Sequence, residues 1–182
     1  MKVMIVEDEM LLAMELESEV EMAGHEVTGL AMSRSQAQEQ IGSSKPDFAF
    51  VDIHLMDGPT GVDVGRELAA AGIPYVFVSG NIKKIPQDFA GALGAIEKPY
   101  TMNGMKNPLA YVSAVIAGDA SGSPPVSLVL AEDVTPANPK VNGFGKRGIY
   151  VAGGENDKQR EYFERRKTAP FVYCGGACRE RR

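Results

Sequence analysis

Long apolar runs are missing from this sequence. No stretch reaches the roughly 18 consecutive apolar residues that a membrane-spanning helix needs. The N-terminus passes from Met1 and Lys2 directly into "VMIV" and then into acidic residues, without the apolar region and cleavage site of a signal peptide. The two cysteines, Cys174 and Cys178, both lie near the C-terminus, which excludes a disulfide framework. We therefore expect a cytoplasmic protein without membrane insertion.

Charge is distributed unevenly along the 182 residues. Residues 1–118 hold 8 Lys/Arg and 16 Asp/Glu, and residues 119–182 hold 11 and 8, so balances of −8 and +3 make up the net charge of −5. An acidic surface repels a phosphate backbone, so nucleic-acid binding is not expected of the first segment. The basic balance of the second segment leaves that possibility open.

Short apolar runs alternate with helical patterns through the first segment. The strands are predicted at residues 2–6, 25–31, 47–52, 74–79 and 93–97. Pro86 follows the fourth strand, so any helix there is short or irregular, because an interior proline costs about 3 kcal/mol. The last helix is predicted to begin near Asn107–Pro108, with proline at its first position. This alternation predicts a doubly wound α/β domain with a five-stranded parallel sheet over 1–118.

Polar side chains that could bind a ligand or react lie at the ends of four of these strands. Glu7 and Asp8 follow the first strand, Asp52 the third, Ser79 ends the fourth and Lys98 follows the fifth. A single polar residue at a strand end carries little weight, since chains emerge into water there. In a doubly wound sheet, however, the carboxyl ends of the strands form the ligand crevice. The whole set in this order therefore predicts one site.

The three carboxylates in this set need a cation. Two unit charges about 4 Å apart repel by about 4 kcal/mol at an effective dielectric constant of 20. An all-oxygen ligand set suits Mg²⁺, which retains waters and bridges to phosphate oxygens. Phosphoryl transfer needs positioning and charge neutralisation, which Mg²⁺, Lys98 and Ser79 would supply. Asp52, central among these groups, is the predicted nucleophile that carries an acyl phosphate.

Four motifs together resemble the receiver domain of bacterial two-component response regulators. They are "VED" at 6–8, "FVDIHLMDG" at 50–58, "FVSG" at 77–80 and "EKPY" at 97–100. The resemblance implies a flavodoxin-like fold with strand order 2-1-3-4-5, phosphorylated by a sensor histidine kinase or a small phosphodonor. Such a domain is not an enzyme beyond its own phosphorylation and dephosphorylation. The implied roles are phosphoacceptor for Asp52, metal ligands for Glu7, Asp8, Asp52 and the backbone carbonyl of His54, and phosphoryl binding and switching for Ser79 and Lys98, with Mn²⁺ able to replace Mg²⁺.

The stretches "PYVFVSGN" and "IPQDFAGALGAIEKPY" are similar to a receiver subgroup named for its Phe-Ala-Thr-Gly-Tyr motif. The resemblance implies a stand-alone receiver, often in stress signalling, in which His54 and Asn81 tune the lifetime of the phosphoryl group. Ala95 occupies the position of the usual aromatic switch residue, which excludes a coupled rotation of ring and hydroxyl. We expect phosphorylation to act through Ser79 and to order residues 80–92.

Residues 119–182 read differently from the rest. "GDASGSPPV" is a linker pattern, "VSLVLAEDV" is compatible with a strand, and residues 155–167 form a charged helical pattern. The cysteine pair offers only two metal ligands. About 64 residues of this composition are poorly suited to an independent core. We expect a poorly structured extension, or a tail that docks on the acidic domain or on an unknown partner.

Three alternative functions are compatible with part of the pattern. The extension could be an output module that binds nucleic acid or protein, or the domain could be a pseudo-receiver that works without phosphorylation. A phosphatase of the haloacid-dehalogenase type uses similar groups, but it needs a second aspartate where His54 stands. It also places its nucleophile on the first strand and its acidic pair last, the reverse of the order here. The receiver interpretation fits better.

Overall fold

The computed structural model of the chain describes residues 1–100, 102–119, 123–131, 134–135 and 138–139, which belong to one compact unit. The predicted helix at 155–167, the cysteine pair and the predicted lack of structure in most of the extension lie outside these residues. Among the described helices, none is both long and apolar enough to cross a membrane.

Strands and helices alternate from the N-terminus, as predicted. The strands are β1 (Lys2–Val6), β2 (Glu26–Ala31), β3 (Phe48–Val51), β4 (Tyr75–Ser79), β5 (Gly94–Glu97), β6 (Leu128–Leu130), β7 (Val134–Thr135) and β8 (Asn138–Pro139). The helices are α1 (Met10–Met22), α2 (Arg34–Ser43), α3 (Gly61–Ala71) and α4 (Met102–Ala117). Two 3-10 turns, Ile82–Lys84 and Phe89–Gly91, occupy the connection between β4 and β5. The connection that contains Pro86 is therefore irregular, which confirms the prediction.

The main sheet confirms the predicted fold class and adds one strand to it. Its order is β2-β1-β3-β4-β5-β6, and the first five strands are parallel. The sixth strand, β6, pairs antiparallel with β5 through Ala95 opposite Val129. β7 and β8 pair separately with each other. The result is a flavodoxin-like sheet whose β5 edge is covered by a segment from beyond residue 118.

Helices cover both faces of this sheet, and alternate strand residues point to opposite layers. Val3 and Ile5 pack with α1 and α4, whereas Met4 and Val6 pack with α2 and α3. Strands β3, β4 and β5 are almost wholly buried, as expected for parallel strands between two helical layers. This burial fixes the strand register and with it the positions of the residues at the strand ends.

The predicted start of the last helix was wrong. Helix α4 begins at Met102, six residues before Pro108, which lies inside it. A proline at this position has no N–H for the carbonyl of Gly104, four residues earlier. The hydroxyl of Ser127 donates to that carbonyl at 3.0 Å. Ser127, just before β6, thus donates the hydrogen bond to Gly104 that Pro108 cannot donate. The preference for proline at the first position of a helix does not take such a distant donor into account.

Strand β6 is built into the domain by several contacts. Leu128 is buried in the core layer with α4, and the amide of Ala131 donates to the carbonyl of Leu93 at 3.1 Å. A Cβ atom added to Gly94 would lie 2.3 Å from the carbonyl oxygen of Val129. The domain boundary predicted at residue 118 stays a prediction, although the sheet itself continues past it.

Candidate functional site

The fold brings the predicted site residues to one edge of the sheet. Glu7 and Asp8 directly follow β1, Asp52 follows β3, Ser79 ends β4 and Lys98 follows β5. Backbone hydrogen bonds hold these ends together, because Asp52 N donates to the Val6 carbonyl and Lys98 N donates to the Ser79 carbonyl. The side chains of neighbouring parallel strands therefore meet at their carboxyl ends, as the sequence pattern predicts.

Lys98 connects two of the carboxylates directly. Its ammonium nitrogen lies 2.5 Å from Oε2 of Glu7 and 2.7 Å from Oδ2 of Asp52. Glu7 and Asp52 are buried, with 3% and 8% of their surface exposed. Such short contacts between buried ions are charge-assisted hydrogen bonds. The lysine thus neutralises part of an acidic cluster that has little access to water.

Burial and the contacts with Lys98 act in opposite directions on the pKa of Glu7. Burial raises the pKa of Glu7, and the hydrogen bond and charge of Lys98 offset this only in part. Burial by itself lowers the pKa of Lys98, but the hydrogen bonds and charges of Asp52 and Glu7 outweigh it, so that pKa lies above its usual value. The acids outnumber the ammonium, and a further cation would relieve the excess negative charge.

The acidic cluster has the donor set of a hard divalent cation. Glu7, Asp8 and Asp52 each offer one carboxylate oxygen, and these oxygens all lie within 4.8 Å of one another. Mg²⁺ prefers oxygen ligands of this kind, so these three carboxylates would hold it. With three carboxylates and one ammonium, the cluster carries two excess negative charges, which a divalent cation balances.

Ser79 lies buried at the end of β4 and begins a chain of hydrogen bonds into the next loop. Its Oγ accepts from the amide of Asn81 at 3.2 Å, and Asn81 Oδ1 accepts from the amide of Lys83 at 3.1 Å. Asn81 thereby caps the first 3-10 turn. Ala95, at the position of the aromatic switch, is fully buried on β5. The hydroxyl is thus coupled to the 3-10 turn without an aromatic partner.

The loop after Asp52 is held by structural contacts that the sequence pattern did not predict. A Cβ atom on Gly61 would lie only 1.8 Å from the carbonyl oxygen of Asp52, so only glycine lets α3 approach this strand end. Asp57 accepts from Thr60 Oγ1 at 2.6 Å and from the amide of Arg34 at 3.1 Å. The hydrogen bond from Thr60 is the main cause that lowers the pKa of Asp57. The sequence signal for this close approach is a glycine at the start of a helix, Gly61.

Residues 3–110 match the family described as the response regulator receiver domain. The chain belongs to this family. The predicted family and fold class are confirmed, and a receiver is a signalling domain of two-component systems rather than a member of an enzyme family.

Relatives of this receiver include PhyR proteins. The phyllosphere-induced regulator PhyR of Methylorubrum extorquens is 39% identical over 80 residues, which cover 43% of this chain and 30% of the relative. The receiver domain of Erythrobacter litoralis PhyR is 29% identical with a TM-score of 0.55, over 60% of this chain and 86% of that domain. A variant of the anti-anti-sigma factor PhyR from Bartonella quintana is 30% identical with a TM-score of 0.52, over 65% of this chain and 48% of that protein.

These similarities support the predicted receiver subgroup as well as the family. The chain spans less than a third of the length of the curated relative that it matches.

Proposed function

We propose that this receiver accepts a phosphoryl group on Asp52 from a sensor histidine kinase or a small phosphodonor. The observation that carries the proposal is the position of the Asp52 carboxylate. It is buried, paired with Lys98 at 2.7 Å and grouped with Glu7 and Asp8 within 4.8 Å. Nucleophile, cation and acidic pair come from strands β1, β3 and β5 and meet at one point of the sheet edge.

Mg²⁺ would be held by Glu7, Asp8 and Asp52, with the backbone carbonyl of His54 as a further ligand. When bound, the metal neutralises carboxylate and phosphoryl oxygens, and Mn²⁺ would serve equally. A carboxylate oxygen of Asp52 attacks phosphorus, a P–O bond forms, and the bond from phosphorus to the donor atom breaks. With a kinase phosphohistidine as donor, the released imidazole nitrogen takes up a proton. The Lys98 ammonium then pairs with a phosphoryl oxygen.

Ser79 is the proposed reporter of phosphorylation. Its hydroxyl accepts from Asn81 N and can rotate to donate its own proton to a phosphoryl oxygen. A shift of Ser79 would move Asn81 and the 3-10 turn that Asn81 caps. The proposed switch is therefore a rearrangement of residues 80–92, which a downstream protein would sense.

The names of relatives suggest a class for that downstream protein. A relative that is 30% identical is named an anti-anti-sigma factor. We propose that this receiver acts in the same kind of stress-signalling circuit, where phosphorylation changes a contact with a protein of the anti-sigma system. Binding of such a partner by the phosphorylated chain and not by Asp52→Asn would support this role.

Phosphoryl uptake from acetyl phosphate tests the primary function. We expect Mg²⁺-dependent uptake by the native chain, none by Asp52→Asn, and native uptake by the control Asp57→Asn. Asp57 lies in the same loop but contacts Thr60 and Arg34 instead of the acidic cluster. Folded native protein that takes up no phosphoryl group would favour the pseudo-receiver and remove the site assignments.

A further inference from the structure

Two exposed side chains meet beside the phosphoacceptor. Nζ of Lys84 lies 3.3 Å from Nε2 of His54. His54 stands two residues after Asp52, and its amide donates to Asp52 Oδ1 at 3.2 Å. Lys84 ends the first 3-10 turn, on the opposite loop. The pair therefore connects the loop of the phosphoacceptor to the loop of the switch hydroxyl on their solvent side.

The Lys84 backbone is positioned by the switch hydroxyl. Asn81 N donates to Ser79 Oγ, Asn81 Oδ1 caps the turn, and Lys84 N donates to the Asn81 carbonyl at 3.1 Å. Lys84 is thus anchored to Ser79 through Asn81, while His54 is anchored to Asp52. The contact between the two side chains thus joins the loop that carries Asp52 to the turn that follows Ser79.

The charge of the phosphorylated site favours a second ammonium there. Ionised Glu7 and Asp8, protonated Lys98 and a divalent cation together leave one positive charge. An acyl phosphate adds about two negative charges at neutral pH, so the site would have an excess of about one negative charge. Glu97, exposed at the end of β5, is a carboxylate and therefore cannot balance this negative charge. Lys84 is a cation that reaches this side of the site, through its contact with His54.

We propose that Lys84 holds the His54 imidazole across the exposed side of the phosphoryl group and thereby prolongs the life of the acyl phosphate. The inference rests on the proposed phosphorylation of Asp52. In hydrolysis, a water oxygen attacks phosphorus, the bond from phosphorus to the Asp52 oxygen breaks, the carboxylate is restored, and dihydrogen phosphate leaves with both protons of the water. Lys84 is a positioning residue here, because it restricts water through His54 rather than by reacting.

The first experiment compares phosphoryl lifetimes after removal of acetyl phosphate. We expect Lys84→Met to hydrolyse about fivefold faster than the native chain, which corresponds to about 1 kcal/mol of barrier. Lys84→Arg should restore most of the lifetime. The matched control is Lys83→Met, because Lys83 is the neighbouring exposed lysine of the same 3-10 turn. His54→Ala should be as fast as Lys84→Met, and the double variant no faster than either, because the two side chains act as a unit.

A second measurement needs neither metal nor phosphoryl group. If Lys84 donates to Nε2, the neutral imidazole of His54 carries its proton on Nδ1. Nitrogen-15 NMR should show this tautomer in the native chain, and Lys84→Met should shift the ring toward the tautomer protonated on Nε2. Lys83→Met should leave the spectrum unchanged.

The outcomes separate this inference from the proposed function. Failure of the native chain to take up phosphoryl groups counts against phosphorylation of Asp52. Normal uptake with equal lifetimes in Lys84→Met and the native chain overturns the inference alone. A longer lifetime in Lys84→Met would also overturn it, because the lysine would then accelerate hydrolysis by stabilising the transition state. An unchanged His54 tautomer in that variant would contradict the contact itself.

Discussion

Lys98 and Asp52 are joined by an ion pair of 2.7 Å, although they lie 46 residues apart in the chain. The same ammonium contacts Glu7, so the lysine already supplies charge neutralisation in a cluster suited to a metal. Two buried carboxylates therefore share one cationic partner. The stability of the receiver therefore depends on a residue that the proposed phosphoryl transfer also requires.

Replacement of Lys98 with methionine should destabilise the metal-free protein by about 3–5 kcal/mol, because two buried carboxylates lose their shared partner. Mg²⁺ should recover part of this loss by binding the folded state, and its stabilising effect should exceed that on the native chain. Urea unfolding with and without Mg²⁺ measures both effects. Lys106→Met, at an exposed position of α4, is the control. An unfolding midpoint equal to that of the native chain in the absence of metal would contradict the role of the ion pair.

Phosphorylation should slow backbone hydrogen exchange in residues 80–92. New charge-assisted hydrogen bonds between Ser79 and the phosphoryl group would pull Asn81 and the following 3-10 turn into a more ordered state. Exchange is measured before and after addition of acetyl phosphate and Mg²⁺. Ser79→Ala should still accept the phosphoryl group but lose most of the added protection. Equal protection with and without phosphorylation of the native chain would eliminate the proposed switch.

Gly94→Ala should destabilise the protein by about 1–3 kcal/mol, the usual cost of forcing extra atoms into a packed core. The added Cβ would meet the Val129 carbonyl at 2.3 Å and push β6 away from β5. Chemical unfolding measures the loss. The control, Gly42→Ala, lies in α2 with open space around the added Cβ, and it should gain about 0.5–1 kcal/mol. An unchanged free energy of unfolding in Gly94→Ala would mean that the pairing of β6 with β5 does not stabilise the domain.

Stability should depend on pH through His25. Burial lowers the pKa of His25 below its ordinary value of 6.5, and its Nε2 lies 3.2 Å from Ser113 Oγ of α4. Since the unfolded chain binds this proton more readily, the contribution of His25 is fully present above pH 6.5 and is lost as the pH falls through the lower folded value. Urea unfolding midpoints across this range should decline less steeply in His25→Gln than in the native chain.

The second histidine provides the comparison for this measurement. His54→Gln alters an exposed loop residue and leaves the contact between His25 and Ser113 in place. A pH dependence of stability that disappears in His54→Gln but persists in His25→Gln would show that His54, and not His25, causes it.

Much of the site follows from the sequence because it depends on local patterns. Each apolar run marks a strand, and the rule that parallel strands share a carboxyl edge then brings Glu7, Asp52 and Lys98 together. The residue types at those ends supply the chemistry. Nothing beyond strand order and polarity is needed to predict a cluster of acids with one ammonium.

Contacts between distant segments account for what the sequence did not show. The local preference for proline at the start of a helix misplaced α4, because Ser127, 19 positions after Pro108 in the numbering, compensates for the missing hydrogen bond. A strand within "VSLVLAEDV" was predicted and is confirmed at Leu128–Leu130, but its antiparallel pairing with β5 was not, because that pairing depends on the space beside Gly94. Lys84 meets His54 through two exposed loops whose approach no periodicity encodes.

The position of β6 bears on how this receiver is handled as a recombinant fragment. A fragment ended at residue 118, the boundary that the sequence suggests, would lose the buried Leu128 and the Ser127 hydroxyl that supports α4. It would also leave the backbone N–H and C=O groups along β5 open as a sheet edge, and such edges recruit strands from other molecules. A fragment ended after Ala131 would keep that edge covered and should resist self-association better than the shorter one.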